Sequence, residues 1–332
     1  MTETRYDVLG IGNAVFDILG HVSEEALSEN NLVKGSMRLV TADEAKAADA
    51  LLHDAVRVSG GSAGNSIAGV ASLGGRGAFI GKVANDAFGE AYIDDMRRIG
   101  IEFRTPILND GAPTATSVIL VTPDGERTMN TFLGASQALT TADIDNDLID
   151  ASAITFLEGY LFDPAPAKEA FKAAAGRANA AGRIAALTLS DAFCIERHRD
   201  DFMEWLKSGQ IGLLMANVAE AKSLFQTEDL DAACAELARL VPVTAVTMGE
   251  KGARILANGS GEDVSAFPSQ VVDLTGAGDL FAGGFMLGYA RGLAPFECGR
   301  LGAMAAAEVI SHVGARPHVD LVDLAKENGF SL

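Results

Sequence analysis

From about residue 150 onward, short apolar runs alternate with helix-length stretches, and this alternation constrains the fold more than any motif does. Runs at 154–157, 183–189 and 212–215 have the length and composition of buried strands, and helical stretches lie at 166–181, 200–207 and 219–225. Strands that recur only after a helix predict a mostly parallel sheet covered by helices on both faces. No solenoid-like period accompanies the alternation. Two further runs, 243–248 and 254–257, flank Gly249-Glu250-Lys251-Gly252, a turn whose glycines are free to lie against phosphates or a base.

The first strand, 8–11, leads into Gly10-Ile11-Gly12-Asn13-Ala14-Val15-Phe16-Asp17. A dinucleotide fingerprint is excluded, because Val15 holds the place of the third glycine and no acidic residue ends a second strand at the required distance. Asn13 and Asp17 remain as polar groups at a strand end, where open α/β sheets bind ligands; a capping role accounts for such a pair equally well. Beyond them the rhythm changes: helix 23–29, short strand 37–40, helix 42–53. Next comes Ser59-Gly60-Gly61-Ser62-Ala63-Gly64-Asn65-Ser66, a turn that lets backbone approach a small ligand and opens helix 67–73. Strand 78–83 holds Gly81-Lys82, which is no Walker A motif: Arg76 stands where its first glycine belongs and Val83 replaces the hydroxyl residue. After helix 88–99, extended runs at 116–121 and 127–132 flank Pro123-Asp124-Gly125, a hairpin turn. With 37–40 they predict a small separate sheet, a lid over the strand ends. The expected division is a large α/β catalytic domain of residues 1–17, 60–104 and 133–332, and a small lid of 18–59 and 105–132.

The formal charge of −19 over 332 residues argues against nucleic acid or an anionic membrane as partner, but not against a phosphate-bearing ligand held by local dipoles. Cys194, Cys234 and Cys298 fit neither a disulfide framework nor a zinc spacing, and His312 and His318 lack a third ligand. With no basic leader and no run of membrane-spanning length, a reduced cytoplasm is the expected compartment.

The chemistry centres on Asp273-Leu274-Thr275-Gly276-Ala277-Gly278-Asp279, followed by the apolar run 280–285. A small-residue turn opening a helix is an anion site, since the first N–H groups lack intrahelical partners and the dipole is positive there. A carboxylate at such a site suits a reaction in which a hydroxyl loses its proton as a phosphoryl group is transferred to it; a capped turn is the plainer alternative. Asn217 and Glu220, three apart after the 212–215 strand, share a helical face. A helix start with a cap looks the same.

Together GNAVFD, GGSAGNS, NVAE, TMGEKG and DLTGAGD, in this order, resemble the ribokinase-like (PfkB-type) sugar and nucleoside kinases along essentially the whole chain. Within that family GNAVFD, the two-helix insertion, GGSAGNSI, GERTMNTFLGA and LSDAF look most like the adenosine-phosphorylating members. The resemblance implies a ribokinase-like three-layer fold with a β-rich lid, and an ATP- and Mg²⁺-dependent kinase acting on a nucleoside 5′-hydroxyl, adenosine first. Inosine or guanosine, or ribose and related sugars, are alternatives. A nucleoside-binding or sensory module is the non-enzymatic one. The resemblance also implies Asp279 as base, Gly276, Ala277 and Gly278 as anion hole, and Arg127 as a lid arginine near the transferred phosphate. Asn13, Asp17, Gly61, Ser62 and Asn65 match the sugar-binding set, and Phe193 an aromatic on the base. Asn217 and Glu220 match the residues organising Mg²⁺ and its waters, with Thr247, Gly249 and Gly252 on the nucleotide. Asp273, Thr275, Val309 and Gly314 match a monovalent-cation (K⁺) loop. Leu274 departs from the usual small or β-branched residue, and His318 stands where a hydroxyl ligand to the cation can occur. A monomer or a homodimer fits this pattern.

Overall fold

In a computed structural model that describes residues 4–332, the strands run in chain order as β1 (Tyr6–Ile11), β2 (Val15–His21), β3 (Met37–Leu39), β4 (Val56–Ser59), β5 (Gly77–Ile80), β6 (Glu102–Phe103) and β7 (Ala115–Val121). They continue as β8 (Arg127–Phe132), β9 (Ser152–Glu158), β10 (Ile184–Thr188), β11 (Leu213–Asn217), β12 (Val243–Thr247), β13 (Ala253–Ala257) and β14 (Ser260–Val264). The helices are α1 (Glu24–Glu29), α2 (Ala42–Asp49), α3 (Ser62–Ser72), α4 (Ala87–Arg98), α5 (Asn146–Asp150) and α6 (Ala165–Ala180). After them come α7 (Ala192–Lys207), α8 (Val218–Phe225), α9 (Leu230–Leu240), α10 (Ala277–Ala290), α11 (Pro295–Val309) and α12 (Leu321–Glu327).

The larger sheet has the order β14-β13-β12-β11-β10-β9-β1-β5-β6 and is parallel except at β12–β13 and β13–β14. Its central strands are buried on both faces, as β1 illustrates: Val8 belongs to one apolar core and Leu9 to the other. The first core takes Ile67 of α3, Phe281 and Phe285 of α10 and Leu301 of α11; the second takes Phe171 of α6, Phe202 of α7 and Leu237 of α9. This is the three-layer arrangement that the strand–helix alternation predicts, and it agrees with the ribokinase-like fold that the resemblance implies. A second, five-stranded sheet has the order β3-β8-β7-β2-β4.

Tertiary packing overrides local expectation in several places. The glycine-rich turn expected before residue 67 is itself helical, since α3 starts at Ser62 and residues 63–70 are all buried. Its small side chains are needed there because α10 packs directly on it: a Cβ on Gly283 would lie 2.5 Å from the Ser66 carbonyl, and one on Gly69 2.7 Å from Leu280. Residues 192–199, not expected as helix, open α7, which is kinked at His198. The chain enters the second sheet at Val15 rather than after Asp17, because β2 pairs with β7 from Val15↔Ala115 onward. β2 carries Asp17 and Gly20 within its run, which hides it, and β14 is an edge strand exposed from Ser260 to Asp263, with Val264 its one apolar residue. β4, α9 and α12 also lie outside the expected elements.

Candidate active site

Gly276 caps α10 in the left-handed region (φ 79°), and a Cβ on it would sit 2.8 Å from that of Ala315, so conformation and space both demand glycine. Asp279 follows in the first helical turn. Its Oδ1 accepts from Ser62 Oγ (2.7 Å) and its Oδ2 from Asn65 Nδ2 (3.0 Å), so the α3–α10 contact aims the carboxylate. Burial raises the Asp279 pKa, while the Ser62 and Asn65 hydrogen bonds and the charge of Arg316 oppose the rise. A Cβ on Gly278 would meet nothing within 4 Å, which leaves the helix end beside Asp279 open.

A second set of acids stands nearby. Asp17, on β2, packs on Gly60, where a Cβ would fall 2.1 Å from Oδ2. Burial pushes its pKa up to about 7, against the pull of Arg316. Glu158, at the end of β9, accepts from Asn13 Nδ2 (2.7 Å), Asn13 N (3.3 Å) and Ala63 N (2.9 Å); burial nevertheless pushes it up to about 7. The Oδ1 atoms of Asn13 and Asn65 are buried without partners, although both residues line a cavity. Buried acceptors left free beside a cavity call for a partner, such as an ordered water or a donor on a ligand.

That cavity, about 740 Å³, lies between the two sheets. Asn13, Asp17, Gly61, Ser62, Asn65 and Asp279 make a polar floor, and Met37, Leu39, Ile119 and Met129 of the second sheet face it with Leu133. Phe193, 72% exposed, stands at the wall with Tyr160 and Arg197. Thr275, Gly278, Thr247, Asn217 and Glu220 also line the cavity. Asn217 and Glu220 form a reciprocal capping box at the start of α8, with Asn217 Oδ1 accepting from Glu220 N (2.9 Å) and Glu220 Oε2 from Asn217 N (3.0 Å). Burial pushes Glu220 up to about 7. These oxygen donors on the cavity wall fit a hard divalent ion held through water. Gly249 and Gly252 are not part of the lining; Gly252 is glycine because a Cβ would lie 2.0 Å from the Val264 carbonyl.

Arg127, at the start of β8, reaches across to the loop before α10. Its guanidinium donates to Asp273 Oδ2 and Thr275 Oγ1. Asp273 Oδ2 also accepts from Gly314 N (2.7 Å), and Oδ1 from Thr275 N (3.0 Å). The His318 ring is stacked on His312 at 3.6 Å. Here the Arg127 guanidinium supplies the positive charge beside Asp273 and Thr275, at the loop for which the resemblance implies a monovalent cation. Among the described residues no group of three or more His, Cys, Asp or Glu is placed to hold a metal, and no helix is long and apolar enough to cross a membrane.

Two residues at this site escape a reading of the sequence. Glu158 ends a buried parallel strand beside Gly159, a position at which ligand groups recur, and that was its one available signal. Arg316, half-buried and interacting electrostatically with Asp17 and Asp279, has no local signal at all.

Comparison with known proteins supplies the chemical context. The family model described as pfkB family carbohydrate kinase matches residues 28–320. The crystal structure of the adenosine kinase from Sinorhizobium meliloti is 47% identical, covers 98% of this chain and 100% of its own, and superimposes with a TM-score of 0.91. A protein described as a probable sugar kinase from Rhizobium etli CFN 42 is 43% identical, with 98% and 99% coverage and a TM-score of 0.92. The adenosine kinase of Saccharomyces cerevisiae is 27% identical over 305 residues, covering 85% of this chain and 88% of its own.

Proposed function

The chain belongs to the pfkB family of carbohydrate kinases, and on that premise we propose that this ATP-dependent kinase of a sugar or nucleoside phosphorylates the 5′-hydroxyl of adenosine to give AMP. The observation that carries the reading is the composition of the cavity. Its floor is built from hydroxyl-binding groups around Asp279, whereas Met37, Leu39, Ile119, Met129, Leu133 and Phe193 make a large part of its walls apolar. A free sugar satisfies the floor and leaves the apolar walls wet; a nucleoside covers both.

In this reading Asp17 and the free Oδ1 atoms of Asn13 and Asn65 hold ribose hydroxyls. Asp279, aimed by Ser62 and Asn65, takes the proton of the acceptor hydroxyl as its oxygen attacks the γ-phosphorus of ATP and ADP departs. The open N–H groups at Gly276–Gly278 receive the charge that builds on the transferred group. Asn217 and Glu220 would hold Mg²⁺ through water, and the ion would neutralise phosphate charge. Thr247, on the cavity wall, borders the nucleotide. The second sheet acts as a lid that excludes water from the phosphoryl group. No step passes through a monovalent cation.

The test is kcat/KM for adenosine, 2′-deoxyadenosine, inosine and ribose, in wild type and Phe193→Ala. Adenosine is expected to lead. Its 2′-deoxy analogue should be much poorer, since a site built for a hydroxyl is left with unpaired groups when the ligand lacks it. Phe193→Ala should weaken adenosine and spare ribose. Ribose as the best substrate, indifferent to Phe193→Ala, makes the protein a sugar kinase instead, in line with the name given to the Rhizobium etli relative.

A further inference from the structure

We propose that Arg316 is a positioning residue for the acceptor, clamping the segment that carries Gly61, Ser62 and Asn65, the start of α3, from the loop after α11. The inference rests on the reading of that segment as the acceptor-hydroxyl site. Arg316 Nη2 donates to the Ser59 carbonyl (2.5 Å) and to Ser59 Oγ (2.9 Å), and Nη1 donates to the Gly64 carbonyl (3.3 Å). One fork therefore holds both ends of the segment 59–64. The segment needs an outside hold: α3 starts after Gly61 (φ 84°), which has no side chain to cap the helix, and Gly60 is glycine because Asp17 packs on it.

Neighbouring groups complete the clamp. Ser59 Oγ donates to Asp95 Oδ2 (2.5 Å), Ser59 N donates to the same oxygen (3.0 Å), and Tyr92 OH donates to the Gly60 carbonyl (3.2 Å). Arg316 is half-buried, and its Nε is enclosed without a partner. Burying a guanidinium to bind two carbonyls and a hydroxyl is costly when neutral donors could bind the same groups. The charge has a use here because acids face it from three elements: Asp17 on β2, Asp95 beside Tyr92 on α4, and Asp279 on α10. Planar, forked and permanently charged, arginine meets both demands, geometry and counter-charge, where lysine meets only the second.

The test pairs Arg316→Gln and Arg316→Lys with two readouts. The first is a split of Michaelis constants, measured with whichever acceptor the wild type turns over best. Arg316→Gln is expected to raise the acceptor KM about tenfold or more, the scale of a lost hydrogen bond to a charged group, while the KM for ATP stays within about twofold. Arg316→Lys should fall between the two. The second readout is amide hydrogen exchange, which needs no turnover. Amides of residues 60–66 should exchange about tenfold faster in Arg316→Gln, with those of the large sheet unchanged. An unchanged acceptor KM, a parallel rise in the KM for ATP, or unchanged exchange at 60–66 overturns the proposal. If no acceptor is turned over, the kinase reading of the site fails and the exchange result alone decides the clamp. If Arg316→Gln fails to fold, Arg316→Lys carries both measurements, and wild-type values for it overturn the proposal.

Discussion

Replacing Asp279 by asparagine separates chemistry from structure at this site, because the fold accommodates the change. The side-chain carbonyl of the introduced asparagine would accept from Asn65 Nδ2 as Oδ2 now does, and its amide would donate to Ser62 Oγ once that hydroxyl rotates. Little binding geometry is lost, while the proton acceptor disappears entirely. General-base catalysis contributes about 10²–10⁴-fold, or about 2.7–5.4 kcal/mol of barrier at 1.36 kcal/mol per decade, so kcat should fall by that factor with the acceptor Kd little changed. Stability should move the other way. Burial raises the Asp279 pKa, so the ionised form costs the folded state stability. That cost is absent below the unfolded carboxylate range and grows as pH rises toward the folded value. The variant should therefore melt higher than wild type at about pH 8, with the gap closing toward acid pH. The assays are ADP release with saturating acceptor, acceptor binding by calorimetry, and melting at several pH values. Activity within threefold of wild type removes Asp279 from the mechanism, and an acceptor Kd weakened in step with kcat makes it a binding group instead of a base.

Burial places Asp17 at about 7, so it gains a proton as pH falls through neutrality, and kcat/KM for the acceptor should drop below about pH 7; a flat profile down to about pH 5.5 contradicts its role on the acceptor hydroxyls. Glu220→Gln should raise the Mg²⁺ needed for half-maximal rate by roughly 10–100-fold, the usual loss for a group that orients a metal's ligands, and an unchanged Mg²⁺ titration reduces Asn217 and Glu220 to a helix cap. Because the Arg127 guanidinium sits on Asp273 and Thr275, wild-type melting should be the same in potassium and choline chloride, whereas Arg127→Gln should acquire a potassium-specific rise; potassium dependence already in the wild type refutes the guanidinium as the resident charge.

Two kinds of information made this protein legible from its residues alone. The strand–helix alternation from about residue 150 dictates a parallel sheet between helices, since such strands have no shorter way to pair. Motifs that lie within a few residues of one another, such as Gly276–Asp279 or Asn217 and Glu220, carry their geometry in their own spacing. The tertiary structure alone decided the rest. The glycines at 60, 61 and 64 read locally as a turn, yet from Ser62 onward the segment is helix, and at Gly69 α10 leaves no room for a larger side chain. Arg127 reads as a lid residue for the transferred phosphate, yet here its charge is on the loop that resembles a cation site, with Asp273 lying 146 residues further along the chain. Glu158 and Arg316 are single charged residues from separate elements, and no periodicity or spacing announces either. Their roles come from low-dielectric surroundings and from partners contributed by α3, α4, α10 and the turn after β1. A lone charge becomes functional only when folding removes its water and chooses its neighbours, and that choice is not written in the residues beside it.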